Sequence, residues 1–172
     1  MIGFAIGNGF SRVGYNLESL RGDDRLIVGC NYLYRDFTPD YIVSLDQRPC
    51  EAIRNLKDRQ FKWLHLDNLW LYLDDKPLID IREINSFPGN NSGTIACSFL
   101  AKHLKCSTVY MLGFDFYLGQ VPFMNNVPQS SWNTMVKDFP GTRFIRVGPV
   151  TNKPYFDALD LEFISYQEFD KV

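Results

Sequence analysis

The sequence predicts an α/β chain, with a mostly parallel sheet flanked by helices. Three observations lead there. Short apolar runs of strand length (Met1–Ile6, Leu26–Cys30, Tyr41–Leu45 and Thr108–Leu112) alternate with stretches of helical spacing. The first run breaks into Gly7-Asn8-Gly9-Phe10-Ser11, a tight strand-to-helix turn. The runs also end in polar residues: Asn8 with Ser11, Asn31, Asp46, and Asp115 with Tyr117. In an open α/β sheet, ligands sit outside the carboxyl ends of the strands, so these residues are expected to border one crevice.

Taken in order, Met1–Ile6 reads as the first strand, Ser11 as an N-cap, and Arg12–Leu20 as a short helix. Leu26–Cys30 is the second strand and delivers Asn31; Tyr32–Arg35 is a turn of helix. Tyr41–Leu45 follows the Pro39-Asp40 break and ends at Asp46. Cys50–Arg59 has the pattern of a charged amphipathic helix. Phe61–Leu73 reads as a strand plus core packing, with His65 as a structural histidine, and Asp74–Pro77 as a turn. Phe87–Asn91 is a loop leading into a helix opened by Ser92-Gly93, with Ser92 as its expected N-cap. In that helix Ile95/Phe99 and Ala96/Leu100/Leu104 recur at helical spacing, and Ala96, Cys97 and Ala101 permit tight packing on a sheet. Lys102, His103 and Lys105 suit the carboxyl end of its dipole. Thr108–Leu112 is a buried strand ending in Asp115 and Tyr117. The irregular segment 118–130, with Gly119 and two prolines, has the length and composition of a lid or binding loop. A helix over Ser131–Phe139, a strand over Phe144–Val147 and a strand with a terminal turn over Leu161–Phe169 complete the chain.

The 172 residues fit one domain with a sizeable core, and 45% hydrophobic content argues for a packed globular protein. A net charge of −2 gives no basic footprint for nucleic acid. Four cysteines without a CxxC pair, and only two histidines, argue against a zinc site. Cys30 and Cys97 lie in apolar runs, which favours reduced thiols in a cytoplasmic setting. No apolar run reaches transmembrane length, and the expectation is a soluble intracellular protein, with a homo-oligomer allowed. The glycine turn fits neither common phosphate motif. The dinucleotide fingerprint wants glycine where Arg12 stands, and Gly14 is followed by Tyr15-Asn16 where a Walker loop needs Lys-Ser/Thr.

Four motifs in order resemble a known group. GNGFS (Gly7–Ser11), CN (Cys30-Asn31), NSG (Asn91–Gly93) and GFDFY (Gly113–Tyr117) are similar to the corresponding segments of bacterial family 42 sialyltransferases. PDYIVSLD, from Pro39 to Asp46, resembles a strand of the related motility-accessory, flagellin-modifying glycosyltransferases. The likeness covers about Met1 to Tyr117 and implies a single Rossmann-like, nucleotide-binding domain over residues 1–172. It also implies a CMP-sugar donor, held by Gly7, Asn8, Gly9, Ser11, Asn31, Ser92 and Gly93, with Tyr117 directed at the donor phosphate. Departure of CMP develops charge that a hydroxyl and helix N–H groups stabilise without a metal cofactor.

Two departures from the group stand out. Phe123 occupies the place of its second phosphate-directed tyrosine, and no histidine follows His103 to act as general base. Asp46 or Asp115 is then the candidate catalytic base. Two alternatives remain open. One is a pyrophosphokinase-like transferase in which Asp46 and Asp115 hold Mg²⁺; the other is a non-catalytic nucleotide-binding or interaction protein. The acceptor is not specified by the sequence.

Overall fold

Among the described residues one nine-stranded sheet runs, edge to edge, through β6 (Lys76–Asp80), β5 (Trp70–Leu73), β4 (Lys62–Asp67), β3 (Tyr41–Ser44), β2 (Arg25–Cys30), β1 (Ile2–Ile6), β7 (Thr108–Leu112), β8 (Arg143–Gly148) and β9 (Glu162–Ser165), numbered in chain order. In the computed structural model the described residues are 1–67, 70–80, 91–115, 129–150 and 161–172. The helices are α1 Gln47–Arg54, α2 Ser92–Lys102, α3 Gln129–Asp138 and α4 Tyr166–Phe169. From β4 through β1 to β9 every pairing is parallel, whereas β5 and β6 form an antiparallel ribbon on the β4 edge. The chain is thus mixed α/β with a mostly parallel sheet.

Alternation along each strand makes two apolar faces. Phe4, Ile6, Ile27, Ile42, Tyr110, Leu112, Ile145 and Val147 pack on one side with Ile53 of α1 and Phe169 of α4. Ala5, Val28, Val43, Val109, Met111 and Phe144 pack on the other with α2 and with Trp132 and Met135 of α3. Crossovers from β1 out to β4 run one way along the sheet, and that from β7 to β8 runs the other. With right-handed crossovers this puts their connections on opposite faces. Helix α2 is buried from Ser92 to Ala101, because its small and apolar residues leave no polar face for water.

The element boundaries differ from the sequence pattern at several places, and the turn expected over Asp74–Pro77 ends where β6 begins at Lys76. Arg12–Leu20 is not one helix but two 3-10 turns, Phe10–Arg12 and Leu17–Leu20, with Gly14 between them at φ +88°. Ser11 lies inside the first turn and is not an N-cap. Helix α1 starts at Gln47 and ends at Arg54, before the polar run Lys57–Arg59. Phe61–Leu73 divides into antiparallel β4 and β5. The next turn, at Asp74 and Asp75, has positive φ at both residues, a conformation that Asp tolerates in tight hairpins. Of segment 118–130, Gln129 and Ser130 belong to α3 and the rest lies outside the described residues.

His65 is a packed residue, stacked between Trp63 at 4.2 Å and Tyr72 at 5.3 Å, with Asp75 at 3.5 Å from Nε2. Burial lowers its pKa against the opposing charge of Asp75, and burial together with Lys102 and Lys105 lowers that of His103. A histidine that binds its proton less readily when folded adds stability that is complete above its unfolded pKa of about 6.5. That stability is lost as pH falls from there through the lowered folded pKa. Urea midpoints are therefore expected to drop between pH 7.5 and 5.5, and less so in His65→Phe. An unchanged pH slope in His65→Phe/His103→Phe would show that neither group is responsible.

Candidate functional site

Between β1 and β7 the chain departs in opposite directions along the sheet, and the carboxyl ends of these two strands lie side by side. The turn after β1 is held to the segment after β7: Gly7 N–H donates to Leu112 O and Gly9 N–H to Gly113 O, both at 2.8 Å. The glycines are required by this contact. A Cβ on Gly7 would lie 2.4 Å from the Gly113 carbonyl oxygen, and one on Gly9 would lie 2.4 Å from the Asp115 carboxyl carbon. The turn glycines thus serve close packing of two chain segments. Arg12 reinforces the same turn. Its Nε donates to Gly7 O at 2.8 Å, and its guanidinium pairs with Asp36 at 2.8 Å.

The neighbouring strand ends are tied in by side chains. Asn8 Nδ2 donates to Cys30 O at 2.7 Å, linking the end of β1 to that of β2. Asn31 takes the left-handed conformation, φ 50°, which asparagine tolerates better than most residues. Its N–H donates to Val43 O at 2.8 Å, and its Oδ1 accepts from Ser92 Oγ at 3.2 Å. Among the described residues, the Asn31 amide NH₂ and the Asn8 amide oxygen make no hydrogen bond. A donor and an acceptor are thereby left at adjacent strand ends.

Helix α2 begins beside Asn31, but its N-cap is Asn91 and not Ser92. Asn91 Oδ1 accepts from Gly93 N at 2.7 Å and Thr94 N at 3.2 Å, and Thr94 Oγ1 closes the capping box on Asn91 N. These N–H groups are satisfied within the chain. A Cβ on Gly93 would meet the Phe114 ring at 2.4 Å and Trp132 at 2.9 Å, so this glycine too serves packing. Ser92 is the α2 residue whose side chain reaches the row of strand ends.

Asp115 is 7% exposed. Its Oδ2 accepts from Ser11 N–H at 2.8 Å, while Oδ1 and the Ser11 hydroxyl are buried without a hydrogen-bond partner among the described residues. Tyr166, from α4, donates to Ser11 O at 2.9 Å, and its pKa is raised by burial and by Asp115. Beneath Asp115 lies Arg146 of β8, 1% exposed, whose guanidinium donates to Phe114 O at 2.9 Å.

The structure thus brings Gly7, Asn8, Gly9, Ser11, Asn31, Ser92, Gly93 and Asp115 to the carboxyl edge around β2, β1, β7 and α2. Asp46 is not joined to them. It is exposed at the start of α1, two strands from β1, and no hydrogen bond or ion pair ties it to the group among the described residues. Tyr117 and Phe123 lie outside the described residues. No group of three or more His, Cys, Asp or Glu side chains suited to a metal occurs among the described residues.

Sequence reasoning missed the capping role of Asn91, and the parts of Tyr166 and Arg146 in the site. An Asn followed by Thr three positions on is a readable capping signal. A lone arginine inside an apolar strand is a weaker one. The contact of Tyr166 with Ser11 joins residues 155 positions apart, and nothing local announces it.

A groove of about 570 Å³ lies at the opposite, amino edge, lined by Lys102, Lys105, Ser107, Asp138 and Thr142 among others. It shares no residue with the carboxyl-edge group. The carboxyl edge is the stronger candidate, because polar groups from four separate elements converge there.

Comparison with protein-family models, with curated proteins and with solved structures finds no match to this chain.

Proposed function

We propose that the chain is a Rossmann-like nucleotide-binding domain that acts as a CMP-sugar-dependent glycosyltransferase. The observation that carries this reading is that, among the described residues, the Asn31 amide donor and the Asn8 amide acceptor stay unbonded at neighbouring strand ends, which are locked by Ser92 and Cys30. Such a fixed pair suits the polar edge of a nucleoside, which needs both a donor and an acceptor. The order of the strands around β1 and β7 supports it, since nucleotides bind where the winding direction changes.

The nucleotide-sugar is the donor substrate. Tyr117 acts on its phosphate, no metal is needed for CMP to leave, and the four reduced cysteines suit work in the cytoplasm. The magnesium-dependent reading has less support, because Asp115 is engaged by the Ser11 N–H while Asp46 stands apart on α1.

The test is calorimetric titration of CMP, UDP, GDP and ATP, with and without Mg²⁺, into wild type and Asn31→Ala. CMP is expected to bind without Mg²⁺. Asn31→Ala is expected to weaken it by about 0.5–3 kcal/mol, roughly two- to 160-fold; the lost Ser92 bond and the left-handed backbone also lower the thermal midpoint, so both proteins are titrated well below it. Mg²⁺-dependent ATP binding without CMP binding would replace this reading by the pyrophosphokinase-like one. Failure of every nucleotide to bind would leave an interaction protein.

A further inference from the structure

Arg146 is out of place by the rules of burial. It sits in β8, opposite Met111 of β7, between residues that fill apolar cores: Phe144 on its own face, Ile145 and Val147 on the other. A fully buried guanidinium is expensive to desolvate, and a strand needing only packing would be served better by a branched aliphatic residue. What the guanidinium touches is informative. It donates to the carbonyl of Phe114, the residue immediately before Asp115. Burial lowers its pKa, while the charge of Asp115 opposes that loss and favours the charged form. Asp115 in turn grips the N–H of Ser11 and lies under Gly9, where any Cβ would collide with it. A chain of contacts therefore runs from the interior of β8, through the Phe114-Asp115 corner, to the glycine turn.

We propose that Arg146 is the positioning residue of the carboxyl-edge site, fixing the Phe114-Asp115 corner so that Asp115 presets the Gly7–Ser11 turn for its ligand. The ligand part of this inference rests on the nucleotide reading above; the positioning part does not. Arg146 acts from below through Asp115. The turn is thereby stiffened before binding, and the ligand need not pay to order it.

The test compares wild type, Arg146→Met, Arg146→Lys, Asp115→Asn and the Arg146→Met/Asp115→Asn double variant. It has two readouts: amide hydrogen exchange residue by residue, and CMP affinity. In Arg146→Met the Ser11 amide is expected to exchange at least about tenfold faster, while the Asn31 amide, bonded to Val43 at the same edge, keeps its protection. Arg146→Lys retains part of the Ser11 protection. The double variant is expected to be little worse than either single one, because both act on the same contact. CMP affinity is expected to fall about tenfold in Arg146→Met and to recover in part in Arg146→Lys.

Unchanged Ser11 exchange in Arg146→Met would overturn the inference. So would equal acceleration at Ser11, Asn31 and across the sheet, the mark of a residue that merely holds the core together. Normal CMP affinity alongside a loosened Ser11 amide would overturn its ligand part. If wild type itself fails to bind CMP, the nucleotide reading falls, and the exchange result alone decides whether Arg146 positions the turn.

Discussion

Gly7→Ala is expected to lower stability by about 3 kcal/mol, the upper end for overpacking a filled site, and to abolish ligand binding at the carboxyl edge. The added methyl would meet backbone: the Gly113 carbonyl oxygen at 2.4 Å and its carbon at 3.0 Å. A flexible side chain can swing aside at small cost, but here the ends of β1 and β7 must separate, stretching the bonds from Gly7 to Leu112 and from Gly9 to Gly113. For a chain of this length the loss corresponds to a fall of roughly 6–12 °C in Tm. Gly141→Ala is the control, since a Cβ there meets nothing within 4 Å, and its midpoint is expected to move little. Thermal and urea unfolding check both. Equal midpoints for Gly7→Ala and wild type would mean that the two strand ends are not held in this contact.

Trp132→Ala is expected to cost about 3–5 kcal/mol, as removal of a fully buried large aromatic does. Trp132 is 1% exposed and packs edge-on against Phe114 with ring centres 5.5 Å apart. Its ring also lies 2.9 Å from where a Gly93 Cβ would be, so the start of α2 rests on it. Its loss opens a cavity beneath two segments of the candidate site, and the effect on binding is expected to exceed what destabilisation alone produces. Trp132→Phe leaves a smaller void and should fall between alanine and wild type. The measurement is urea unfolding together with nucleotide titration under conditions where every variant is folded. A cost below about 1 kcal/mol for Trp132→Ala would show that the site collapses freely around the void.

Much of the architecture is local in origin and so was readable. β7 spans Thr108–Leu112 in structure as in pattern, because a short, mostly apolar run opening on the strand formers Thr, Val and Tyr needs no distant partner to declare a strand. The parallel sheet followed from strands alternating with helical stretches. The failures share a cause as well. Arg12–Leu20 has helical composition, yet the Arg12 side chain turns back on Gly7 and Gly14 takes positive φ, so the segment breaks into two 3-10 turns. Ser92 looked like the cap, but Asn91 accepts two N–H bonds and Ser92 turns toward Asn31.

At the candidate site the division is sharper. The sequence by itself determined that Asn8, Asn31, Asp46 and Asp115 follow the carboxyl ends of strands, since an apolar run followed by Asn or Asp marks a strand end without any knowledge of its neighbours. It also determined that glycine occupies positions 7, 9 and 93. Only the tertiary structure decided what those glycines are for: they admit the Gly113 backbone, Asp115 and Phe114. It alone separated Asp46 from Asp115, two acids alike in sequence, one exposed at a helix start and one buried against a turn. And it alone brought Arg146 and Tyr166 to Asp115 and Ser11. Strand ends are set by local hydrophobic pattern, whereas strand order and the contacts it creates depend on which distant segments pair. Pairing energy is shared among many residues and is written in no single one of them.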